Sequence, residues 1–262
     1  MTTTNIFIPV ICYNHQCHTA FMFSLMRLVM ALKELQINAT LFPIVFDSLV
    51  NRARNAALAY FMSGSYTHLL FIDSDIEFTP EDVLRLLASK KELIGAGYAQ
   101  KWLNIEKIKR TFCGTGPLPA QPLDLCTNHS IHVSKEQDIT QDILEVEYLT
   151  TGFMLIQRSV IEKLFQAHPE RKYQNDVDGY MGANQDYFYN LFCVEIHPVT
   201  KRFESEDYGF CRLWKGQGGK THLYTNITLR HYGWFGYGTN VKDQLNLVCN
   251  NTSKEADRLE GQ

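Results

Sequence analysis

The sequence predicts an α/β fold, with a mostly parallel, doubly wound sheet and an elaborated C-terminal half. Three observations predict it. Through the first 98 residues, short apolar runs alternate with stretches of helical periodicity, strand–helix–strand–helix–strand–helix–strand. The third run, "HLLFI" (68–72), lacks polar alternation, as expected of a strand covered on both faces. The chain has 262 residues, 45% hydrophobic and 12% aromatic, enough to bury a substantial core.

Each element has its own justification. "NIFIPVICY" (5–13) is the first strand and ends in a polar loop. Residues 19–36 repeat apolar positions at helical spacing. The run "AFMFSLMRLVMALKEL" (20–35) is too short for a membrane span, carries Arg27 in its middle, and reads as a buried helix. "ATLFPIVF" (39–46) is the second strand, and Pro43 places it at an edge or a bulge. "SLVNRARNAALAYFMSG" (48–64) is helical, with Ser48 as cap and Gly64 as stop. "TPEDVLRLLAS" (79–89) begins a helix on Thr79 as N-cap, with Pro80 at the first helical position and Asp82 three residues after the cap. "ELIGAGY" (92–98) is the fourth strand. Residues 101–144 lose periodicity and read as an irregular excursion, a loop over substrate rather than a linker. Order resumes with a strand at 153–157, a helix from 159, a short helix at 205–216 and a strand in "THLYTNI" (221–227). No internal repeat is visible, so the expected organisation is one domain over 1–262.

Composition narrows the function classes. The formal net charge is -3, and charged residues make up 20% of the chain, which is not the basic footprint of a nucleic-acid binder. The N-terminus carries no basic lead followed by an apolar run and a small-residue cleavage site. Seven cysteines, at 12, 17, 113, 126, 193, 211 and 249, are odd in number and without CxxC spacing. That pattern argues against a zinc module or a complete disulfide framework and for a reducing, cytoplasmic setting.

The chemistry concentrates after the third strand. In "THLLFIDSDIEFTPE" (67–81) an apolar strand delivers Asp73 and Asp75, separated only by Ser74, to its carboxyl end. Ligands bind at such ends in open α/β sheets. Two carboxylates this close repel, and a bound Mg²⁺ or Mn²⁺ resolves the conflict, with a diphosphate as the cation's natural further ligand. In the second half, Glu206 and Asp207 open a short amphipathic helix. Such acids also favour the helix dipole, and Asp207 is a candidate general base if its carboxylate faces the cleft. His231 precedes a glycine- and aromatic-rich turn, "YGWFGYG" (232–238), and its neutral imidazole could complete a site built by two aspartates.

Two enzyme families place an aspartate pair after a parallel strand. A haloacid-dehalogenase-type phosphatase usually has Thr or Val where this chain has Glu77, and its motif lies on the first strand rather than the third. The ordered set "RARNAALAYF" (52–61), "THLLFIDSDIEF" (67–78), "TTGFMLIQRSV" (150–160), "SEDYGFCRLWKGQGG" (205–219) and "RHYGW" (230–234) resembles the other family, the GT-A fold glycosyltransferases, in particular small viral, phage and bacterial members with a DxD motif. The resemblance implies a nucleotide-sugar donor, with UDP as its nucleotide, a glycan or other hydroxyl acceptor, and Mn²⁺ or Mg²⁺. It makes 1–100 the nucleotide-binding half and 145–262 the acceptor and catalytic half. Asp75 would ligate the cation with help from Asp73, and His231 would be the distal metal or diphosphate ligand. Asp207, in an acidic pair with Glu206, would deprotonate the acceptor and so invert the anomeric centre. Arg52 and Asn55 would approach the nucleotide beside Ser74. Pro9, Val10 and Tyr13 would line the base pocket, and Thr151 and Gly152 would form the floor beneath the sugar. A phosphatase or nucleotidyltransferase using the same aspartates, or a non-catalytic nucleotide- or glycan-binding module, stays open as an alternative.

Overall fold

A seven-stranded sheet forms the centre of the computed structural model, which describes residues 4–113, 118, 120–129, 131, 133 and 138–246. Parts of the 101–144 excursion, and Cys249, lie outside the described residues. The first half runs β1 (Asn5–Ile11), α1 (Thr19–Glu34), β2 (Asn38–Ile44), α2 (Val50–Ser63), β3 (His68–Ile72), β4 (Ile76–Glu77), α3 (Pro80–Ala88) and β5 (Leu93–Gly95). The excursion holds β6 (Ala99–Leu103), α4 (Ile105–Phe112) and β7 (Thr127–His129), so part of it is regular. Asn104 starts α4 by accepting from the Glu106 and Lys107 amides, a cap missed in the sequence. The second half contributes β8 (Ile143–Val146), β9 (Phe153–Gln157), α5 (Arg158–Ala167), β10 (Glu195–Ile196), β11 (Phe203–Glu204), α6 (Glu206–Gly216), β12 (Thr221–Tyr224), β13 (Thr228–Tyr232) and β14 (Gly236–Asn240).

Strand order in the sheet is β2-β1-β3-β9-β5-β12-β8. β2, β1 and β3 are mutually parallel, and β5 is parallel to β12. β9 runs antiparallel to both β3 and β5, and β8 runs antiparallel to β12. The sheet is therefore mixed, with five of these strands pointing one way. The expectation of a mostly parallel sheet holds; what it does not contain is the antiparallel β9, which returns from the second half and inserts between the third and fourth strands. Local periodicity reports that a strand forms and says nothing of its partner or direction.

Side-chain alternation along the strands splits the core between two faces. Phe7, Leu69, Phe71, Met154 and Ile156 pack with α2, α5 and α6, including Val160, Ile161, Phe210 and Trp214. Ile6, Ile8, Leu70, Ile72, Phe153 and Leu155 pack with α1 and α3 on the other side. Helices thus cover both faces, as the unalternating third strand required. β2 is an edge strand. The Cys12 amide donates to the Ile44 carbonyl (2.9 Å), so alternate β2 residues face β1, and Pro43 turns its missing N–H to the open side.

Two local expectations need correction. α1 buries Phe21, Leu25, Leu28 and Leu32 but exposes Met22, Phe23, Met26, Val29 and Met30. A run whose outward face carries methionines, Phe23 and Val29 as well as its few polar residues does not reveal in sequence which face turns outward, and the expected buried helix is buried on one face only. Ser48 does not cap α2; instead the Asp47 carboxylate accepts from the Leu49 amide (2.9 Å). α3 starts as expected, with Thr79 N–H donating to the Asp82 carboxylate at 2.8 Å.

Candidate functional site

The turn after β3 is held by three distant segments. Asp73 N–H donates to the Gly152 carbonyl (3.0 Å), His18 N–H to the Ser74 carbonyl (2.8 Å), and Tyr232 N–H to the Asp75 carbonyl (2.8 Å). Gly152 is required there because a Cβ would fall 2.5 Å from the Tyr98 ring. Ser74 serves the turn through its backbone and through a hydrogen bond with the buried Cys12 thiol.

Each carboxylate of the pair has its own protein cation. Asp73 accepts from Arg54 at 3.0 Å, and the same guanidinium donates to Glu206 at 2.6 Å. Arg54 is only 5% exposed. Burial opposes its charge, but Asp73 and Glu206 overcome this and raise its pKa. One buried arginine therefore ties the turn after β3 to the first turn of α6. Asp75 accepts from Lys101 on β6 at 2.5 Å. On its other oxygen it faces His231 Nε2 at 3.4 Å. Burial would raise the Asp75 pKa; His231 and Lys101 together hold it below the ordinary carboxylate value.

His231 arrives on β13, which pairs with β4 directly after the aspartate turn. Its Nδ1–H donates to the Ala99 carbonyl (2.8 Å), which turns Nε2 toward Asp75. Two ligands about 2.1 Å from one cation, at right angles, lie about 3 Å apart, so the 3.4 Å span suits a shared ion. Among the described residues, no group of three or more His, Cys, Asp or Glu side chains is placed to hold a metal ion. A cation that takes its remaining ligands from water and phosphate needs none. The donor set therefore fits Mg²⁺ or Mn²⁺ through Asp75 and His231, while Asp73 is engaged by Arg54.

Asp207 lies in the first turn of α6, buried, accepting from Ser205 Oγ and from the Tyr208 amide. Burial raises its pKa, the Glu206 charge adds to this, and Ser205 and Arg54 oppose it. Tyr98 joins the cluster: its ring meets His231 edge-on at 5.0 Å, and burial with the nearby Asp73 charge keeps its hydroxyl protonated. The stretch around Trp234, between β13 and β14, leaves that side chain fully exposed, one residue from Gly233, which packs on the Lys101 stem.

Several expected site residues have contacts or placements other than those expected. Arg52 is bidentate to Asp47 (2.9 Å for both contacts), which also accepts from Tyr180 at 2.6 Å, so it is spent on a structural pair. Asn55 is buried and stitches the 190–192 segment, accepting from the Leu191 and Phe192 amides at 3.0 and 2.9 Å and donating to the Phe192 carbonyl. Glu206 is Arg54's partner. Pro9 and Val10 lie within β1, and Tyr13 is exposed in the turn after it, where Asn14 and His15 both take positive φ. Thr151 is buried next to Gly152. Arg54, Lys101 and Tyr98 were missed. Arg54 carried a signal, since every residue from 53 to 59 in its run is small, apolar or asparagine apart from itself, and a charge there must find a partner. Lys101 carried none.

The sequence matches no protein-family model and no curated protein. Among solved structures the chain is similar to A197 from STIV, with 15% identity and a TM-score of 0.45, covering 88% of this chain and 86% of that one. It is also similar to the 4-diphosphocytidyl-2C-methyl-D-erythritol synthase of Anaerococcus prevotii DSM 20548, with 8% identity and a TM-score of 0.34, covering 67% and 81%. Likeness at this level says nothing about activity.

Proposed function

We propose that the chain is a divalent-cation-dependent glycosyltransferase that moves a sugar from a nucleotide-sugar donor, with UDP as its nucleotide, to an acceptor hydroxyl. The observation that carries this reading is the Arg54 bridge, which holds the Asp73–Asp75 turn against the first turn of α6. A cation-ready pair, Asp75 and His231, and a buried carboxylate of raised pKa, Asp207, thereby belong to one cluster.

Asp75 and His231 would hold the cation, which when bound supplies Lewis-acid neutralisation of the departing diphosphate. Asp207 takes the acceptor proton as the acceptor oxygen bonds the anomeric carbon; the bond to the diphosphate oxygen breaks, and its electron pair leaves with the nucleotide. Attack from the face opposite the leaving group inverts the centre. A raised pKa makes Asp207 a stronger base than an exposed aspartate. Arg54 keeps Glu206 and Asp73 neutralised, which spares Asp207 further like-charge repulsion. The exposed Trp234 offers a stacking face to an acceptor sugar.

The test is turnover of a nucleotide-sugar panel with Mn²⁺, run beside phosphomonoesters and nucleoside triphosphates. Asp75→Ala is expected to abolish metal-dependent turnover with the melting temperature little changed. Release of phosphate from phosphomonoesters, with no nucleotide-sugar turnover, would overturn the reading.

A further inference from the structure

Asp75 already carries a full protein counter-ion. Lys101 Nζ stands 2.5 Å from Asp75 Oδ2, and His231 Nε2 stands 3.4 Å from Oδ1. The lysine and the imidazole are positioned by the same strand: β6 carries Lys101, and two residues earlier the Ala99 carbonyl on β6 accepts from His231 Nδ1. The lysine stem is further confined by the turn after β13, since a Cβ on Gly233 would lie 3.2 Å from Lys101 Cδ. The contact is thus built into the fold rather than being a chance meeting of two long side chains. Asp75 with Lys101 is a neutral pair, and Asp73 is separately matched by Arg54.

We propose that Lys101 is a placeholder cation that makes the site take its divalent ion only together with a diphosphate. This rests on the donor-site reading above. A free dication approaching Asp75 meets an ammonium on the same carboxylate, and like charges at that range repel. A diphosphate reverses the sign: Lys101 then has an anion to move to, frees Asp75 Oδ2, and adds to the attraction for the nucleotide. The ammonium therefore opposes the ion alone and favours the ion with diphosphate. Binding of each ligand tightens the other by the same factor, as linkage requires. The exposure of the pair, 38% for Lys101 and 33% for Asp75, lets the lysine swing without unpacking the core.

The test measures Mn²⁺ binding directly, from the electron paramagnetic resonance signal of free Mn²⁺, with and without saturating UDP. Wild type, Lys101→Met, Lys101→Gln and Lys101→Arg are compared, each first shown to melt as wild type does. For Mn²⁺ alone, Lys101→Met and Lys101→Gln are expected to bind roughly five- to tenfold tighter than wild type, the scale of one partly solvated charge–charge repulsion. The factor by which UDP tightens Mn²⁺ binding should shrink by a similar amount in both, and Lys101→Arg should keep the wild-type pattern. Unchanged or weaker Mn²⁺ binding in the neutral variants, or an unchanged UDP factor, would overturn the placeholder role while leaving the donor site standing. Failure of wild type to bind Mn²⁺ even with UDP would overturn both.

Discussion

Arg54 lies in a helical stretch where every residue from 53 to 59 is buried, with two of its nitrogens given to Asp73 and Glu206 and its Nε without an acceptor among the described residues. Removing one partner of a buried ion pair leaves an uncompensated charge. Arg54→Met strands two carboxylates at once and should cost about 3–5 kcal/mol, read from urea unfolding. Arg54→Lys restores the charge without the fork that reaches both acids, so only part of the loss should return. Asp207 has the opposite problem, being a carboxylate whose pKa is raised by burial. Its contribution to stability is present below the ordinary aspartate pKa and is lost as pH rises through the raised value. Asp207→Asn should therefore flatten the decline of stability above the ordinary carboxylate range. As a base it works ionised, so the acid limb of kcat/KM should lie above that range in wild type. An acid limb at the ordinary aspartate value would remove it from the base role. Asp75 shifts the other way, held low by His231 and Lys101 once burial is overcome, and its share of stability is lost as pH falls.

At the scale of elements, α2 joins the sheet to the second half through side chains rather than surface area alone. Asn55 accepts two amides and donates to a carbonyl of the 190–192 segment. Asn55→Ala would leave the Leu191 and Phe192 amides buried without an acceptor, and the expected loss is about 2–4 kcal/mol by urea unfolding. α1 shows the reverse case. Its outward methionines touch solvent, so Met26→Gln should change stability by no more than about 0.5 kcal/mol. Element positions were legible where a local signal exists: the unalternating β3, the Thr79–Asp82 start of α3, and Pro43 on an edge strand. Arg52 enters the sequence reading only through the family resemblance, and helix periodicity alone cannot say which of two arginines, two residues apart, faces the sheet and which faces Asp47.

The two halves of the chain are interleaved in one sheet. β9 fills the gap between β3 and β5, and β5 pairs only with β9 and β12 among the described residues, both from the second half. The first half by itself leaves β5 without a neighbour and one side of β3 open. A fragment of residues 1–104 should therefore lack the cooperative melting of the full chain, as judged by circular dichroism and by rapid proteolysis. The candidate site follows the same interleaving. Asp73 and Asp75 come from the first half, Lys101 from the excursion, and Gly152, Glu206, Asp207 and His231 from the second.

By itself the sequence determined the strands and helices of the first 98 residues, and which carboxylates lie at their ends, because periodicity, caps and apolar runs are local properties of the chain. Only the tertiary structure decided that β9 runs antiparallel in the middle of the sheet and that Arg54 and Lys101 each face an aspartate. It also decided that Asn55 and Arg52 hold the scaffold together. Strand partners and ion pairs join residues far apart in the chain, 152 positions for Arg54 and Glu206. Their choice depends on which side chains meet once the sheet has closed.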